Sequence, residues 1–184
     1  MTTTRLYSAL FASAIASSTL ACGGTNPAPA TSASQATSVT VKLINAKGDS
    51  IGTARLSPDR AGVRITLAVS GLSAGEHAIH VHQTAQCDGP AFTSAGGHFN
   101  PDQKHHGLSN PDGPHAGDMP NFTVDAAGRS TATIVAPGVT LDDGPHSVFT
   151  GGGTALVIHE KADDMKSDPA GNAGARIACG VIRK

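Results

Sequence analysis

Short runs in which apolar and polar residues alternate are the feature that most restricts the fold of this chain. Val63, Ile65, Leu67 and Val69 are each separated by one residue, and similar runs recur. The runs cover residues 39–43, 51–56, 63–69, 76–82, 121–124, 131–135, 155–159 and 176–182. A period of two indicates half-buried β-strands. Because no window has a helical stripe, and Gly, Pro, Asn and Asp clusters separate the runs, the sequence predicts an all-β antiparallel sandwich or flattened barrel.

The composition agrees with one domain plus a short appendage, since the chain has 184 residues. With 39% hydrophobic residues, 3% aromatic, no Trp, 22 Gly and 11 Pro, its core is expected to consist of small aliphatic and β-branched side chains. The formal net charge of -1 gives no broad basic field that could hold a polyanion. The composition therefore argues against nucleic-acid binding.

Residues 1–21 have the features of an export signal. Arg5 is the only early positive charge, residues 6–20 are mildly apolar, and Ala21 precedes Cys22. This order is typical of a bacterial lipoprotein signal, which predicts that Cys22 is diacylated and becomes the mature N-terminus. The alternative is an ordinary secretory signal cleaved near Ala21, with Cys22 incidental. The apolar run is shorter than the roughly 20 residues that span a bilayer.

Residues 22–38 are predicted to be a disordered tether. After Cys22 the sequence reads GGTNPAPATSASQATS, which is rich in Pro, Ala, Ser and Thr and has no apolar periodicity. Such a segment cannot bury enough surface to order itself. The folded domain is therefore expected to comprise residues 39–184.

Candidate metal ligands stand in an order that suits a two-metal site sharing one imidazole. They are His80, His82, His98, His106, His115, Asp118 and His159. The segments around them read HVHQTAQCDG from residue 80, GGHFNPDQKHHG from 96, GPHAGDMP from 113, VIHEKADD from 157 and, further on, GNAGARIACGVI from 171. These segments resemble the copper,zinc superoxide dismutase family, and the resemblance runs from about residue 39 to the C-terminus. It implies an eight-stranded Greek-key barrel or sandwich with long metal-binding loops; general accounts of β-sandwich architectures name this family among them.

The first predicted metal site binds copper. His80 and His82 fall on one face of the strand at 76–82, because alternate residues of a strand share a face. A His-x-His pair alone is a weak signal. The resemblance adds His98 and His159 and makes these four residues the copper ligands, and imidazoles suit copper.

The second predicted site lies in a long Gly-rich loop and binds zinc. His98, His106, His115 and Asp118 offer three imidazoles and a carboxylate, which tetrahedral zinc accepts. The resemblance makes them the zinc ligands, with His98 bridging both metals. Two alternatives remain open: a solvated His-rich loop that collects metal adventitiously, and His105 in place of its neighbour His106.

The resemblance also assigns residues that support the metals. Asp163 matches a carboxylate that links a copper histidine to a zinc histidine, here His80 and His106, with Asp164 as the alternative. Arg176 matches the guanidinium beside copper that attracts and positions a small anion.

Four other residues have less specific roles. Lys161 and Lys166 are candidates to extend a positive funnel over the site, with ordinary solvated lysines as the alternative. His77 and His146 match no ligand position and are expected to be structural or solvent-facing.

Three cysteines leave one unpaired in an exported protein. If Cys87 and Cys179 form a disulfide and Cys22 carries lipid, none is left over. The loop closed by such a bridge, 179 − 87 = 92 residues, would stabilise the fold by about 4 to 5 kcal/mol at most. A disulfide indicates an oxidising compartment, so the chain is expected in the periplasm or cell envelope.

The predicted function is disproportionation of superoxide to O₂ and H₂O₂, with one copper and one zinc per chain as the resemblance implies. Zinc is redox-silent and would fix geometry, whereas copper would carry the electrons. The alternatives are a non-catalytic exported lipoprotein that binds copper and zinc on the same scaffold, and an enzyme whose zinc site is often empty. The expected partners are superoxide and a membrane reached through Cys22, and the sequence leaves a homodimer open.

Overall fold

The computed structural model describes residues 1–2 and 38–184. The predicted lipidation at Cys22, and nearly all of the predicted signal and tether, lie outside the described residues. Within them, no helix combines the length and apolar character that a membrane span needs.

The domain is built from strands joined by long loops, with two short 3₁₀ turns at Thr93–Ala95 and Thr150–Gly152. The strands are β1 Val39–Asn45, β2 Ser50–Asp59, β3 Gly62–Ser70, β4 Gly75–His77, β5 Ile79–His82, β6 Phe122–Val124, β7 Arg129–Ala136, β8 Thr154–His159 and β9 Arg176–Ile182. The predicted runs coincide with these strands, which confirms the all-β class. Most of them are longer in the structure, because strand pairing continues past the last alternating residue.

The antiparallel strands form one seven-stranded sheet in the order β5-β8-β9-β1-β2-β3-β7 and a small sheet of β4 and β6. The small sheet connects the two edge strands of the large one, because β4 leads into β5 and β6 leads into β7. In the turn between β6 and β7, the Asp125 N–H donates to the Arg129 carbonyl at 2.8 Å. Neighbours that are not consecutive in sequence, β9 beside β1 and β7 beside β3, give the predicted Greek-key connectivity.

The predicted strand at 76–82 is interrupted at Ala78, which separates β4 from β5. Ala78 still pairs outside the two strands, because its N–H donates to Lys161 C=O at 2.8 Å and its C=O accepts from His159 N–H at 2.9 Å. Residues 38–184 therefore contain nine named strands, and counting β4 and β5 as one gives the predicted eight.

Both faces of β5 are buried. Ile79 and Val81 point into the main core cluster inside the sheet, whereas His80 and His82 lie beneath the long loops. A smaller cluster of Phe92, Ala95, Ala155, Val157 and Cys179 packs outside β8 and β9. Cys179 is bonded to Cys87 in this cluster, so the disulfide ties the loop after β5 to β9.

Candidate metal centre

The first cluster of candidate metal ligands consists of His80, His82, His98 and His159, and it is named the copper group after the metal predicted for it. His80 and His82 lie on β5 and His159 ends β8, which pairs with β5. His98 comes from the loop and forms an isolated bridge with His82. One ligand atom from each ring lies within 4.8 Å of the others, and all four residues are buried. The structure thus brings the four predicted copper ligands together.

One nitrogen of each copper-group ring is buried without a hydrogen-bond partner among the described residues. These atoms are Nδ1 of His80 and Nε2 of His82, His98 and His159. Buried polar atoms are rarely left unpaired, because desolvation without a partner is unfavourable. Four such nitrogens in one cluster fit a metal ion with imidazole ligands.

The opposite nitrogens of the same rings are held by the protein. His80 Nε2 contacts Asp163 Oδ2 at 2.8 Å, His82 Nδ1 contacts the Gly96 carbonyl at 2.9 Å, and His98 Nδ1 contacts Asp118 Oδ1 at 2.8 Å. These contacts fix each ring so that the unpaired nitrogen points inward.

Burial keeps the copper-group imidazoles neutral. It lowers the pKa of His98 and of His159 to about 4. Burial also lowers the pKa of His80, and that of His82 well below its usual value. Because a metal binds the neutral ring, the group is already in its metal-binding protonation state at neutral pH.

The second cluster, the zinc group, consists of His98, His106, His115 and Asp118, all buried. Asp118 Oδ1 lies 2.8 Å from His98 Nδ1, 3.0 Å from His106 Nδ1 and 3.4 Å from His115 Nδ1. Three imidazole nitrogens and one carboxylate therefore converge, which is a donor set that tetrahedral zinc accepts.

Asp118 organises the zinc group. Its Oδ2 accepts hydrogen bonds from the backbone N–H of Gly107 at 2.8 Å and of His115 at 3.0 Å. Although burial opposes it, hydrogen bonds from the histidines hold the pKa of Asp118 far below its usual value. Burial also opposes charge on His106, but hydrogen bonds to Asp118 and Asp163 raise the pKa of His106 to about 9.

The structure separates the two adjacent histidines of the loop. His106 is fully buried in the zinc group, whereas His105 is exposed and pairs with Asp168. Asp168 also accepts the His106 backbone N–H at 2.6 Å. His106 and not His105 therefore faces the other zinc-group residues.

Asp163 connects the two groups. Its carboxylate contacts His80 Nε2 at 2.8 Å and His106 Nε2 at 3.0 Å. Burial opposes ionisation, but these two contacts hold the pKa of Asp163 below its usual value. Its neighbour Asp164 is exposed and accepts backbone N–H groups of Lys166 and Ser167.

Two residues around Asp163 were not predicted from the sequence. Asn121 exchanges two hydrogen bonds of 2.9 Å with the Asp163 backbone. Gly171 lies directly against the Asp163 carboxylate and has φ +62°. The GNAG segment that begins at Gly171 is the only sequence signal for the second contact, and no local pattern identifies Asn121.

A cleft of about 540 Å³ opens beside the copper group. Arg176 lines it together with Gln83, Asn100 and His159, among others. The Arg176 guanidinium donates to the carbonyls of Phe92 and Gly96, both at 2.7 Å. These bonds hold the cation over the cleft next to the copper group.

The predicted steering lysines lie elsewhere. In the described part of the chain, Arg176 is the only Lys or Arg that lines the cleft, and Lys161 and Lys166 are exposed outside it. Their side chains are not part of the cleft wall, because the loop from 161 to 176 turns its Pro169 and Ala170 toward it.

The two remaining histidines have structural and surface positions. His77 is buried, and its Nδ1 contacts the His159 carbonyl at 2.7 Å. His146 is partly exposed and pairs with Asp102 at 3.0 Å.

Comparisons with known proteins agree with this geometry. Residues 50–182 match the family model described as copper/zinc superoxide dismutase. A superoxide dismutase [Cu-Zn] of Aquifex aeolicus is 54% identical over 143 residues, covering 77% of this chain and 85% of the relative.

Two solved structures share the fold. The superoxide dismutase-like protein of Bacillus subtilis superposes with a TM-score of 0.74 at 38% identity, covering 77% of this chain and 96% of that one. The Cu/Zn superoxide dismutase of Brucella abortus gives a TM-score of 0.67 at 31% identity, covering 80% and 100%. The chain belongs to the copper/zinc superoxide dismutase family.

Proposed function

We propose that the superoxide dismutase activity of this protein resides at the copper group, with copper bound by His80, His82, His98 and His159. The observation that supports this assignment best is the set of four buried ring nitrogens that have no partner among the described residues. Zinc is bound by the neighbouring set of His98, His106, His115 and Asp118.

Copper, when bound, supplies a centre that alternates between Cu(II) and Cu(I), so that one superoxide is oxidised to O₂ and a second is reduced to H₂O₂. The protein supplies protons and position. His98 has Nε2 in the copper group and Nδ1 against Asp118. H₂O₂ needs two protons. When Nε2 is not bound to copper, His98 can hold one of them at Nε2, because its opposite nitrogen is fixed by Asp118, and solvent water would supply the other.

Arg176 attracts the substrate. Burial lowers the pKa of its guanidinium, but an arginine remains charged at any working pH. Its hydrogen bonds to two backbone carbonyls fix its position, so it presents a permanent positive charge to an anion in the cleft. This charge raises the rate at which superoxide reaches the copper group.

Asp163 holds one histidine of each group in a fixed orientation. Asp163 orients His80 in the copper group and His106 in the zinc group through one carboxylate. Carboxylates that accept the second N–H of a metal-bound imidazole fix its orientation and raise its basicity.

The disulfide and the family indicate that the domain is exported. For the finer localisation, we infer that residues 1–21 are a lipoprotein signal and that lipid on Cys22 anchors the domain to a membrane of the periplasm or cell envelope. The mass of the mature N-terminal peptide tests this inference: a diacylated Cys22 supports it, and an unmodified N-terminus near residue 22 contradicts it.

The experiment that tests the catalytic proposal measures superoxide disproportionation and metal content on one sample of purified protein loaded with copper and zinc. Activity that requires copper, with about one copper and one zinc per chain, is the expected result. Full metal occupancy without activity would instead indicate a non-catalytic binding protein. Full activity with zinc well below one per chain would indicate an enzyme that does not need its zinc.

A further inference from the structure

We infer that Gly171 is a positioning residue for both metals, because its missing side chain leaves the space that the Asp163 carboxylate occupies. This inference rests on the proposed role of Asp163 and extends it to a second residue. Gly171 is buried and lies in the loop that precedes β9.

The steric argument is direct. A Cβ at Gly171 would overlap Oδ1 and Cγ of Asp163, far inside van der Waals contact. It would also lie 2.8 Å from His106 Nε2. Gly171 therefore borders the hydrogen bond between Asp163 Oδ1 and His106 Nε2, which is 3.0 Å long.

The surroundings leave the Asp163 carboxylate little room to move away. The Asp163 backbone is held by both hydrogen bonds of Asn121, and its Oδ1 also accepts the Met165 N–H at 2.6 Å. Asp163 is 4% exposed. A side chain at Gly171 must therefore rotate the carboxylate away from His80 and His106 or push the loop outward.

The backbone gives a second reason for glycine at this position. Gly171 has φ +62°, in the left-handed region that most side chains avoid. The structure also uses non-glycine residues there, since Asn172 has φ +54°. Backbone conformation alone would tolerate an asparagine at 171, whereas any side chain there would collide with the Asp163 carboxylate.

Gly171→Ala, compared with Asp163→Ala and with the double variant, tests the inference. We expect Gly171→Ala to lower zinc affinity about 10- to 100-fold, as loss of a carboxylate behind a metal-bound imidazole does. In the Asp163→Ala background the same substitution should lower zinc affinity less than it does in the parent, because the two closest atoms that it displaces are gone and only the approach to His106 Nε2 remains. Zinc affinity is measured by competition with a chelator, and the Co²⁺ absorption spectrum of the zinc group and the Cu²⁺ electron paramagnetic resonance spectrum report ligand geometry.

Gly71→Ala is the matched control. Gly71 has φ +79°, and a Cβ there meets nothing within 4 Å. Gly71→Ala therefore introduces the strain of an alanine in the left-handed region without a contact to Asp163. Both single variants should melt at lower temperature than the parent, but only Gly171→Ala should alter metal affinity and the two spectra.

Three outcomes are distinguishable. Unchanged zinc affinity and spectra in Gly171→Ala, alongside losses in Asp163→Ala, would overturn the role of Gly171. Losses that multiply in the double variant would show that Gly171 acts by a route other than Asp163 and would overturn it as well. Unchanged zinc affinity in Asp163→Ala itself would contradict the proposed role of Asp163 and would overturn the positioning role of Gly171 with it, although the steric contact between the two residues would stand.

Discussion

The copper group and the zinc group share His98 but are held in different ways. Three of the four copper-group histidines lie on the paired strands β5 and β8, and their inward nitrogens lack partners among the described residues. The zinc group comes from one loop, residues 98–118, and its ligand atoms contact one another around Asp118 Oδ1. The sheet thus sets the positions of three copper-group histidines, whereas hydrogen bonds around Asp118 set the positions of the zinc group.

This difference predicts which changes affect one group and which affect both. A strand residue keeps its place when a neighbouring ligand is removed, because the ladder hydrogen bonds remain. Asp118 holds the loop, and the zinc ion proposed for this group would hold it as well, so removal of either should release it. His98 belongs to both groups and is the exception.

His98→Ala is expected to have the largest effect. It removes a ligand from both groups and the proton site at Nε2, so activity should fall by about 10²-fold or more, together with zinc affinity. Activity and metal content measured on the same sample check this. His146→Ala, which changes a partly exposed histidine that pairs with Asp102, is the control. A His98→Ala protein with full zinc occupancy and full rate would refute the shared position of His98.

Asp118→Ala should separate the two groups. Zinc affinity is expected to fall at least about 100-fold, because the substitution removes both a ligand and the centre of the loop's hydrogen bonds. Copper affinity should fall less, because Asp118 holds only His98 among the proposed copper ligands, and the other three lie on β5 and β8. Competition titrations with each metal check this, and hydrogen exchange should increase across residues 98–118 and not in β5.

The control for this variant is Asp112→Asn, which changes an exposed aspartate in the same loop. An equal loss of copper and zinc affinity in Asp118→Ala would show that the sheet does not fix the copper group independently.

Arg176→Ala should lower activity by about tenfold without removing either metal. Arg176 is the cation of the cleft in the described chain, so its loss should slow anion capture and weaken the dependence of the rate on ionic strength. The rate at several salt concentrations, with metal content determined, checks this. Arg183→Ala, whose side chain bonds to the Ala85 carbonyl, is the control. A variant that keeps the parental salt dependence would assign the steering to other cations.

Much of this comparison could be predicted from the sequence, and the reason differs between the groups. Alternation located β5 and β8, and so the strand positions of His80 and His159, because a period of two follows directly from strand geometry. The loop ligands have no such period. Only the motif GGHFNPDQKHHG favoured His106 over His105.

Contacts between distant segments could not be predicted. Asn121 holds the Asp163 backbone across 42 residues of sequence, and Gly171 meets the Asp163 side chain from further along the same loop. No local pattern indicates the contact of Asn121, and the GNAG segment marks Gly171 without indicating what it touches, because both contacts depend on how loops pack over the finished sheet. The position of Lys161 and Lys166 outside the cleft could not be predicted for the same reason, because it too depends on how their loop packs over the sheet.

The smallest effect expected for the loaded enzyme is that of pH, which should change mainly the stability of the metal-free protein. The pKa of His98 and of His159 is about 4 in the folded state because of burial, and burial lowers those of His80 and His82 as well. The unfolded state, with pKa values near 6.5, therefore binds these protons first. Their contribution to stability is present above about pH 6.5 and is lost as the pH falls toward 4.

The zinc group should give the opposite dependence of stability on pH. Hydrogen bonds to Asp118 and Asp163, against burial, raise the pKa of His106 to about 9. Its contribution is present below about pH 6.5 and is lost as the pH rises through 9. The free energy of unfolding of the metal-free protein, measured with denaturant from pH 4 to 10, should thus be highest near neutrality. It should fall more steeply on the acid side, because four histidines contribute there and only His106 contributes on the alkaline side. Loaded protein, in which the ligands cannot titrate until metal leaves, should be flat between pH 6 and 9. A metal-free protein with equal slopes on both sides would show that the copper group is not held neutral by its burial, and the contrast between the two groups would then be lost.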